Sequence, residues 1–332
     1  GSRCLGVKKN EFLPGRAGPM KYYAREQMKQ PIPIIDLFAG PGGLGEGFSS
    51  VLNEDDDPAF RIKLSIEMDP VAHKTLTLRA FFRQFPKGKA PHEYYEYLRG
   101  NIVRDELFSK YPKEAKEATD EARCLELGKD DVSSLVGDKL KGRRDWVLIG
   151  GPPCQAYSLA GRSRMAGAGS KLKGERDDVY EKRAAQKHTE FQKDPRHLLY
   201  REYLKIIADH WPSVFVMENV KGILSAKHNG EKIFPQIKAD LKEPNKALGR
   251  EGLGKEYTLH SFVSGSTDMY GEVLEDKGYL ISSEDYGIPQ TRHRVILLGI
   301  RNDLGSREVG KLKPQRSISV EEAIGDLPPL TP

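Results

Sequence analysis

Three groups of residues have the types and spacing to do chemistry. Cys154 follows the apolar run Val147-Leu148-Ile149 and the breakers Gly150-Gly151-Pro152-Pro153, so a thiol stands on a stiff turn where a buried strand reaches the edge of its sheet. An arbitrary cysteine is more often a small buried hydrophobe. Here the rigid setting and the position at the carboxyl edge, where open α/β sheets place their chemistry, favour a nucleophile. Glu218 comes after Val214-Phe215-Val216-Met217 and before Asn219-Val220, which puts a carboxyl at the tip of another strand. It is either a solvated acid opening a loop or, if burial raises its pKa, a proton donor to a ring nitrogen that gains charge during reaction. Arg292 and Arg294, in Gln290-Thr291-Arg292-His293-Arg294, are spaced to share one face of a strand. Two guanidinium groups there can hold a carbonyl oxygen or a phosphate, although an isolated pair of this kind is more often a solvated strand face.

A further group could hold a cofactor. Gly40-Pro41-Gly42-Gly43-Leu44-Gly45 matches G-x-G-x-x-G after a strand, a pattern that lets backbone approach a nucleotide at a helix N-terminus and that also occurs as an ordinary tight turn. Asp36, just before the turn, would repel a pyrophosphate and suits a ligand carrying an amino group. Glu67, ending the next strand, is placed to accept hydrogen bonds from ribose hydroxyls. Together these favour S-adenosylmethionine over NAD.

The elements that must position these groups alternate. Ile32 to Phe38, Ile62 to Glu67, Trp146 to Ile149 and Val214 to Met217 read as strands, and Glu46 to Leu52, Pro70 to Phe82 and Leu198 to His210 read as helices. Such repetition predicts a mostly parallel sheet covered on both faces. Tyr279 to Tyr286 and Val295 to Ile300, joined by Gly287-Ile288-Pro289-Gln290, predict an antiparallel finish. Residues 83–125, charged and helix-prone, read as an insertion over the sheet edge. Residues 162–196 read as a long mobile loop leading into a helix.

With 332 residues, 38% hydrophobic and 30% charged, the chain can bury one large α/β domain or two ordinary ones, and disorder throughout is excluded. Its longest apolar stretches fall far short of the roughly 20 residues a spanning helix needs, and residues 1–31 have no apolar core like that of a secretory signal, so an intracellular protein with no membrane partner is expected. Cys4, Cys124 and Cys154 are odd in number and lack zinc-ligand spacing, which predicts neither a disulfide framework nor a metal site. A net charge of +5 is compatible with a nucleic-acid partner and decides nothing by itself.

Asp36-Leu37-Phe38-Ala39-Gly40-Pro41-Gly42-Gly43, Pro153-Cys154-Gln155, Glu218-Asn219-Val220 and Gln290-x-Arg292-x-Arg294, in this order, resemble the cytosine-5 DNA methyltransferase family of bacterial type. The resemblance covers most of residues 32–330. It implies a Rossmann-like, S-adenosylmethionine-dependent methyltransferase fold with a mostly parallel seven-stranded sheet and an antiparallel final strand. It also implies a cytoplasmic, nucleoid-associated enzyme of restriction-modification that leaves S-adenosyl-L-homocysteine and uses no metal. By the same resemblance, Asp36, Phe38, Ala39, Gly40, Gly42 and Gly43 hold the methionine portion of the cofactor, Glu67 holds its ribose, and Met68 is a further cofactor contact. Asp131-Val132 lies beside the adenine, and Pro152 and Leu199 touch the cofactor. Cys154 adds to carbon 6 of a cytosine flipped out of double-stranded DNA, turning the ring into an enamine that accepts a methyl group at carbon 5. Glu218 stabilises charge at ring nitrogen 3, while Arg294 and Arg292 fix the exocyclic oxygen. Gln155 to Arg164 would be the closing loop, with Gln155, Ser158, Arg162 and Arg164 contacting DNA.

Family members carry a variable target-recognition region and a Gly-Asn-Ser-Val-like motif after the Gln-x-Arg-x-Arg strand, and neither is matched within these 332 residues. The expected organisation is an N-terminal extension (1–31), a catalytic domain (32–311) and a linker (312–332) towards a target-recognition domain. That domain would be absent by truncation or supplied by a second polypeptide. Three other functions stay open at this point: a tRNA cytosine-5 methyltransferase, a non-catalytic subunit of a split methyltransferase, and a NAD-dependent dehydrogenase.

Overall fold

In the computed structural model, residues 30–153, 195–228, 231–250, 254–263, 273, 275–305 and 309–328 are described. The apolar run Ile32–Leu37 forms β1, and the glycine turn after it leads into helix α1 (Gly43–Ser49). Strand β2 (Phe60–Glu67) follows, and then α2 (Pro70–Phe82), whose first turn is set by Pro70 at N1 and by the Asp69 carboxylate accepting the Val71 N–H. Three short helices come next, α3 (His92–Leu98), α4 (Arg104–Lys110) and α5 (Pro112–Glu121), before strand β3 (Ala122–Cys124). Helix α6 (Val132–Leu140), β4 (Val147–Gly150), α7 (Pro195–His210) and β5 (Val214–Val220) complete the alternation. Beyond a small hairpin of β6 (Lys227–His228) and β7 (Glu231–Lys232) lie α8 (Phe234–Lys242), α9 (Pro244–Ala247), β8 (Tyr257–His260), β9 (Leu280–Ser282), β10 (His293–Arg301) and α10 (Val320–Ile324).

The sheet runs β3-β2-β1-β4-β5-β10-β8, with β9 also paired to β10. The first five strands are mutually parallel and β10 is antiparallel to its neighbours. The expected seven-stranded path is therefore present, and an eighth short strand shares the outer edge of β10 with β8. Two expectations are corrected. Only Leu280–Ser282 of the predicted strand Tyr279 to Tyr286 joins the sheet, because Ser283 turns away into a short 3-10 helix and gives its N–H to the Arg292 carbonyl. Residues 83–125 are not wholly an insertion, since Ala122–Cys124 is the sheet's edge strand, too short and too mixed in character to show a period.

Period-two alternation assigns the two faces. Ile35 and Leu37 of β1, with Phe215 and Met217 of β5, enter the main core beneath α6, α7 and α8, where Trp146, Tyr203 and Phe234 are fully buried. Burying a side chain of that size contributes roughly 1.5–3 kcal/mol. Ile34, Ile149, Val216 and Leu298 face the other way, towards Leu44 and Phe48 of α1. A satellite cluster of Phe81, Phe85, Phe108 and Tyr111 holds α2 against α4 and α5. Among the described residues no helix is long and apolar enough to cross a membrane.

Candidate active site

The site residues collect where β1, β2, β4 and β5 end together. In register, Leu37 pairs with Ile66 of β2 and with Gly150 of β4, which in turn pairs with Met217 of β5. On the face of α1, Asp36, Ile149 and Val216 therefore form one row, and the next row begins with Phe38, Gly151 and Glu218.

Asp36 is 1% exposed, and neither of its carboxyl oxygens has a hydrogen-bond partner. Burial pushes its pKa up to about 8, against the lowering field of Arg83 and with the carboxylates of Glu121 and Glu67 adding to the rise. A buried, unpartnered carboxyl is costly unless a ligand completes it. It therefore fits a group bearing a positive charge, such as the amino group of S-adenosylmethionine. Phe38 follows at φ +58°, a conformation that is strained for a bulky side chain and characteristic of ligand-holding turns. Ala39 is buried. Gly40 lies at φ +57° and gives its N–H to Glu67 Oε2 at 2.8 Å. Gly42, at φ +90°, caps α1, and a Cβ there would meet Leu76 at 2.9 Å. Gly43 opens the helix.

The other expected cofactor residues are placed as follows. Glu67 accepts from Asp69 N at 2.7 Å as well as from Gly40, so it braces the glycine turn. A carboxylate's remaining lone pairs can still accept hydroxyls. Met68 is 53% exposed beside it. Asp131 is the N-cap of α6, with its side chain accepting from Ser134 N at 3.0 Å, whereas Val132 and Leu199 are buried in the main core. Pro152 is buried, and its carbonyl accepts from Asn219 Nδ2 at 3.0 Å.

The base-handling groups are brought together by register. Ile296 of β10 faces Glu218 of β5, so Arg294, two residues earlier on the same face, is its diagonal neighbour. Arg294 Nε lies 2.7 Å from Glu218 Oε1, and its Nη1 donates to the His293 carbonyl at 2.8 Å. Arg292 precedes the strand and is exposed, so the expected guanidinium pair on one strand face reduces to Arg294. Nor does burial seal Glu218. Its side chain is 28% exposed and ion-paired, with Oε2 resting 3.1 Å from where a Cβ on Gly151 would stand. Cys154, Gln155, Ser158, Arg162 and Arg164 lie outside the described residues. The turn is described as far as Pro153, with Glu218 against its backbone.

Sequence reasoning passed over two supporting residues. Asn219 is 4% exposed and ties the tip of β5 to Pro152, the second residue before Cys154; a polar residue inside an apolar strand was the available signal. Arg83 pairs with Glu46 of α1 and, at 2.5 Å, with Glu121 of α5. No local pattern announces a pairing across nearly 40 residues.

The sequence profile of C-5 cytosine-specific DNA methylases matches residues 184–245 and 268–330. The Type II methyltransferase M.Bpa9945I of Bacillus paralicheniformis is 30% identical over 323 residues, which cover 90% of this chain and 61% of that one. The Type II methyltransferase M.AquIA of Picosynechococcus sp. is 30% identical over 318 residues, covering 90% of each. This chain belongs to the C-5 cytosine-specific DNA methylase family. It spans only about half of the length of other curated methylases that it matches, such as M.XorII of Xanthomonas oryzae pv. oryzae. A solved structure of Spodoptera frugiperda DNMT2 is 15% identical, with a TM-score of 0.40 over 86% of this chain and 56% of that one. Among the described residues no group of His, Cys, Asp and Glu could hold a metal ion.

In this chain the close approach of strand tips depends on Gly150, where a Cβ would stand 2.6 Å from the Leu37 carbonyl oxygen and 3.1 Å from the Tyr203 ring. Backbone on one side and a fully buried ring on the other leave little room to yield. Gly150→Ala is expected to destabilise the fold by about 1–3 kcal/mol, read as a lowered urea midpoint. An unchanged midpoint would show that β1 and β4 can spread apart.

Proposed function

We propose that this chain catalyses methyl transfer from S-adenosyl-L-methionine to carbon 5 of cytosine in DNA, as a DNA (cytosine-5-)-methyltransferase acting through a covalent Cys154 adduct on a flipped-out base. The observation that carries the reading is the pairing of Glu218 with Arg294, Glu218 lying against Gly151 of the turn that leads into Cys154, on the same face of the sheet as a buried and unpartnered Asp36. When bound, S-adenosyl-L-methionine supplies the methyl group and leaves as S-adenosyl-L-homocysteine. Asp36 receives its amino group. Glu67 takes its ribose hydroxyls, with Met68 alongside, and the turn from Phe38 to Gly43 lets backbone close on the methionine portion. Asp131, Val132, Pro152 and Leu199 complete the cofactor side.

Cys154 thiolate forms a bond to carbon 6 of the base, and the displaced ring electrons make carbon 5 nucleophilic. After methylation, loss of the carbon 5 proton expels the thiolate and restores the ring. Glu218 serves ring nitrogen 3 and Arg294 the adjacent carbonyl oxygen, so the ion pair of the free protein becomes a two-point grip on the pyrimidine edge. Gln155, Ser158, Arg162 and Arg164 are assigned to DNA contacts, and Arg292, just ahead of β10, to the base's exocyclic oxygen beside Arg294. Neither face of carbon 6 is reachable inside a duplex, which requires extrusion. The contacts that choose the site are assigned to a target-recognition region, on further sequence or on a second polypeptide.

The test uses duplex DNA carrying 5-fluorocytosine, which cannot lose a proton from carbon 5 and so traps the enzyme. With S-adenosyl-L-methionine and, where needed, the companion region, intact mass spectrometry should show a protein–DNA adduct that Cys154→Ser abolishes. An adduct surviving that exchange removes Cys154 from the mechanism.

A further inference from the structure

Behind the tip of β1 the structure holds more negative groups than positive ones. Asp36 on β1, Glu46 on α1, Glu67 at the end of β2 and Glu121 at the end of α5 converge there, with the Tyr203 hydroxyl from α7 beneath. Among the described residues, the field of Arg83, just past α2, opposes the effect of burial on Asp36, and the Arg83 side chain is 13% exposed. Its guanidinium is already divided between Glu46 and Glu121. It therefore joins the helix that follows the glycine turn to the edge of the sheet while leaving Asp36 without a direct partner. An uncompensated carboxylate cannot be kept in such a place, so the free protein holds Asp36 as the neutral acid.

We propose that Arg83 is a positioning residue for the cofactor's amino group, and that Asp36 surrenders its proton to solvent when that group binds. This rests on the cofactor site proposed above. The balance is simple: the carboxylic acid and a ligand ammonium become a carboxylate–ammonium pair plus one released proton. Arg83 acts through position and charge. It fixes α1 so that Gly45 lies against Asp36, where a Cβ would stand 3.1 Å from Oδ2, and it offsets the neighbouring acids so that Asp36 can ionise.

The test is calorimetric binding of S-adenosyl-L-homocysteine, which keeps the amino group and cannot react, to the full chain in buffers of different ionisation heat. Between pH 5.5 and 7.5, where the ligand amine stays charged, the wild type should release close to one proton and bind about tenfold more tightly per pH unit. Asp36→Asn should bind weakly with no proton release. Arg83→Met should lose about tenfold or more in affinity at pH 7.5, and Arg83→Lys should recover most of it. Binding with no proton release and a flat pH profile overturns the proposal alone, as does an Arg83→Met protein with wild-type affinity and pH profile. Absence of binding at every pH in the wild type instead overturns the cofactor site on which the proposal rests. Should Arg83→Met fail to fold, the wild-type proton count and the Arg83→Lys profile still decide.

Discussion

Exchange of Glu218 for glutamine is expected to slow methyl transfer to cytosine by two to four orders of magnitude, the range that a positioned proton donor contributes, while leaving the affinity for S-adenosyl-L-homocysteine within about twofold. Glutamine keeps the length and planarity of the side chain, so it still fills the space against Gly151 that a Cβ would enter at 3.1 Å. It cannot pair as an anion with Arg294, which in the native protein lies 2.7 Å away, and it has no proton to exchange with a ring nitrogen. Single-turnover rates separate this from a binding defect: the chemical step should fall and KM should move little. A near-native rate would mean that the carboxyl only holds Arg294 in place. Glu218→Ala is expected to be worse in a second respect, because it strands the guanidinium without its counter-charge and lowers stability as well.

The second large effect concerns stability and pH. The carboxyl of Asp36 is held up at about 8 in the folded protein and sits near 3.8 when the chain unfolds. Between those values the native state binds more protons than the unfolded one, so this group's contribution is greatest below pH 4 and is lost as pH rises towards 8. Asp36→Asn removes that dependence. Relative to the wild type, the variant should gain on the order of 4 kcal/mol between pH 5 and pH 8 in the absence of cofactor, measured by urea unfolding at each pH. Identical pH slopes for the two proteins would mean that the buried acid is ionised in the free fold. If Asp36 receives the cofactor's amino group as proposed, the same exchange should also cost cofactor affinity, an example of stability given up for function.

Much of this was legible in the sequence because the signals were local. The apolar run ending in glycines announced β1 and its turn, and the segment read as a helix from Pro70 to Phe82 is α2 with those bounds. Glycines and prolines around Val147–Gly150 marked the turn before Cys154. Other features depended on information that no window contains. The partnership of Glu218 with Arg294 follows from the antiparallel register of Ile296 on Glu218, across 78 positions of chain. Strand β3 has only Ala122, Arg123 and Cys124, so neither length nor alternation could separate it from the charged helices before it. Ser283–Asp285 reads as strand by its neighbours, yet the turn wins because Ser283 finds the Arg292 carbonyl with both its N–H and its hydroxyl.

The two rows on the α1 face of the sheet have a geometric corollary. Asp36 and Glu218 stand two strands apart laterally, at about 4.8 Å per strand, and two residues apart along the pleat, at about 3.3 Å per residue. The spacing between the Asp36 and Glu218 positions is thus a lattice constant of the backbone, of order 12 Å, rather than an outcome of side-chain flexibility. Changes in surface loops leave that ruler untouched. A single-residue insertion within β5 would rotate the motif by one step, turning Asn219 outward and Glu218 into the core, and would erase the yardstick altogether.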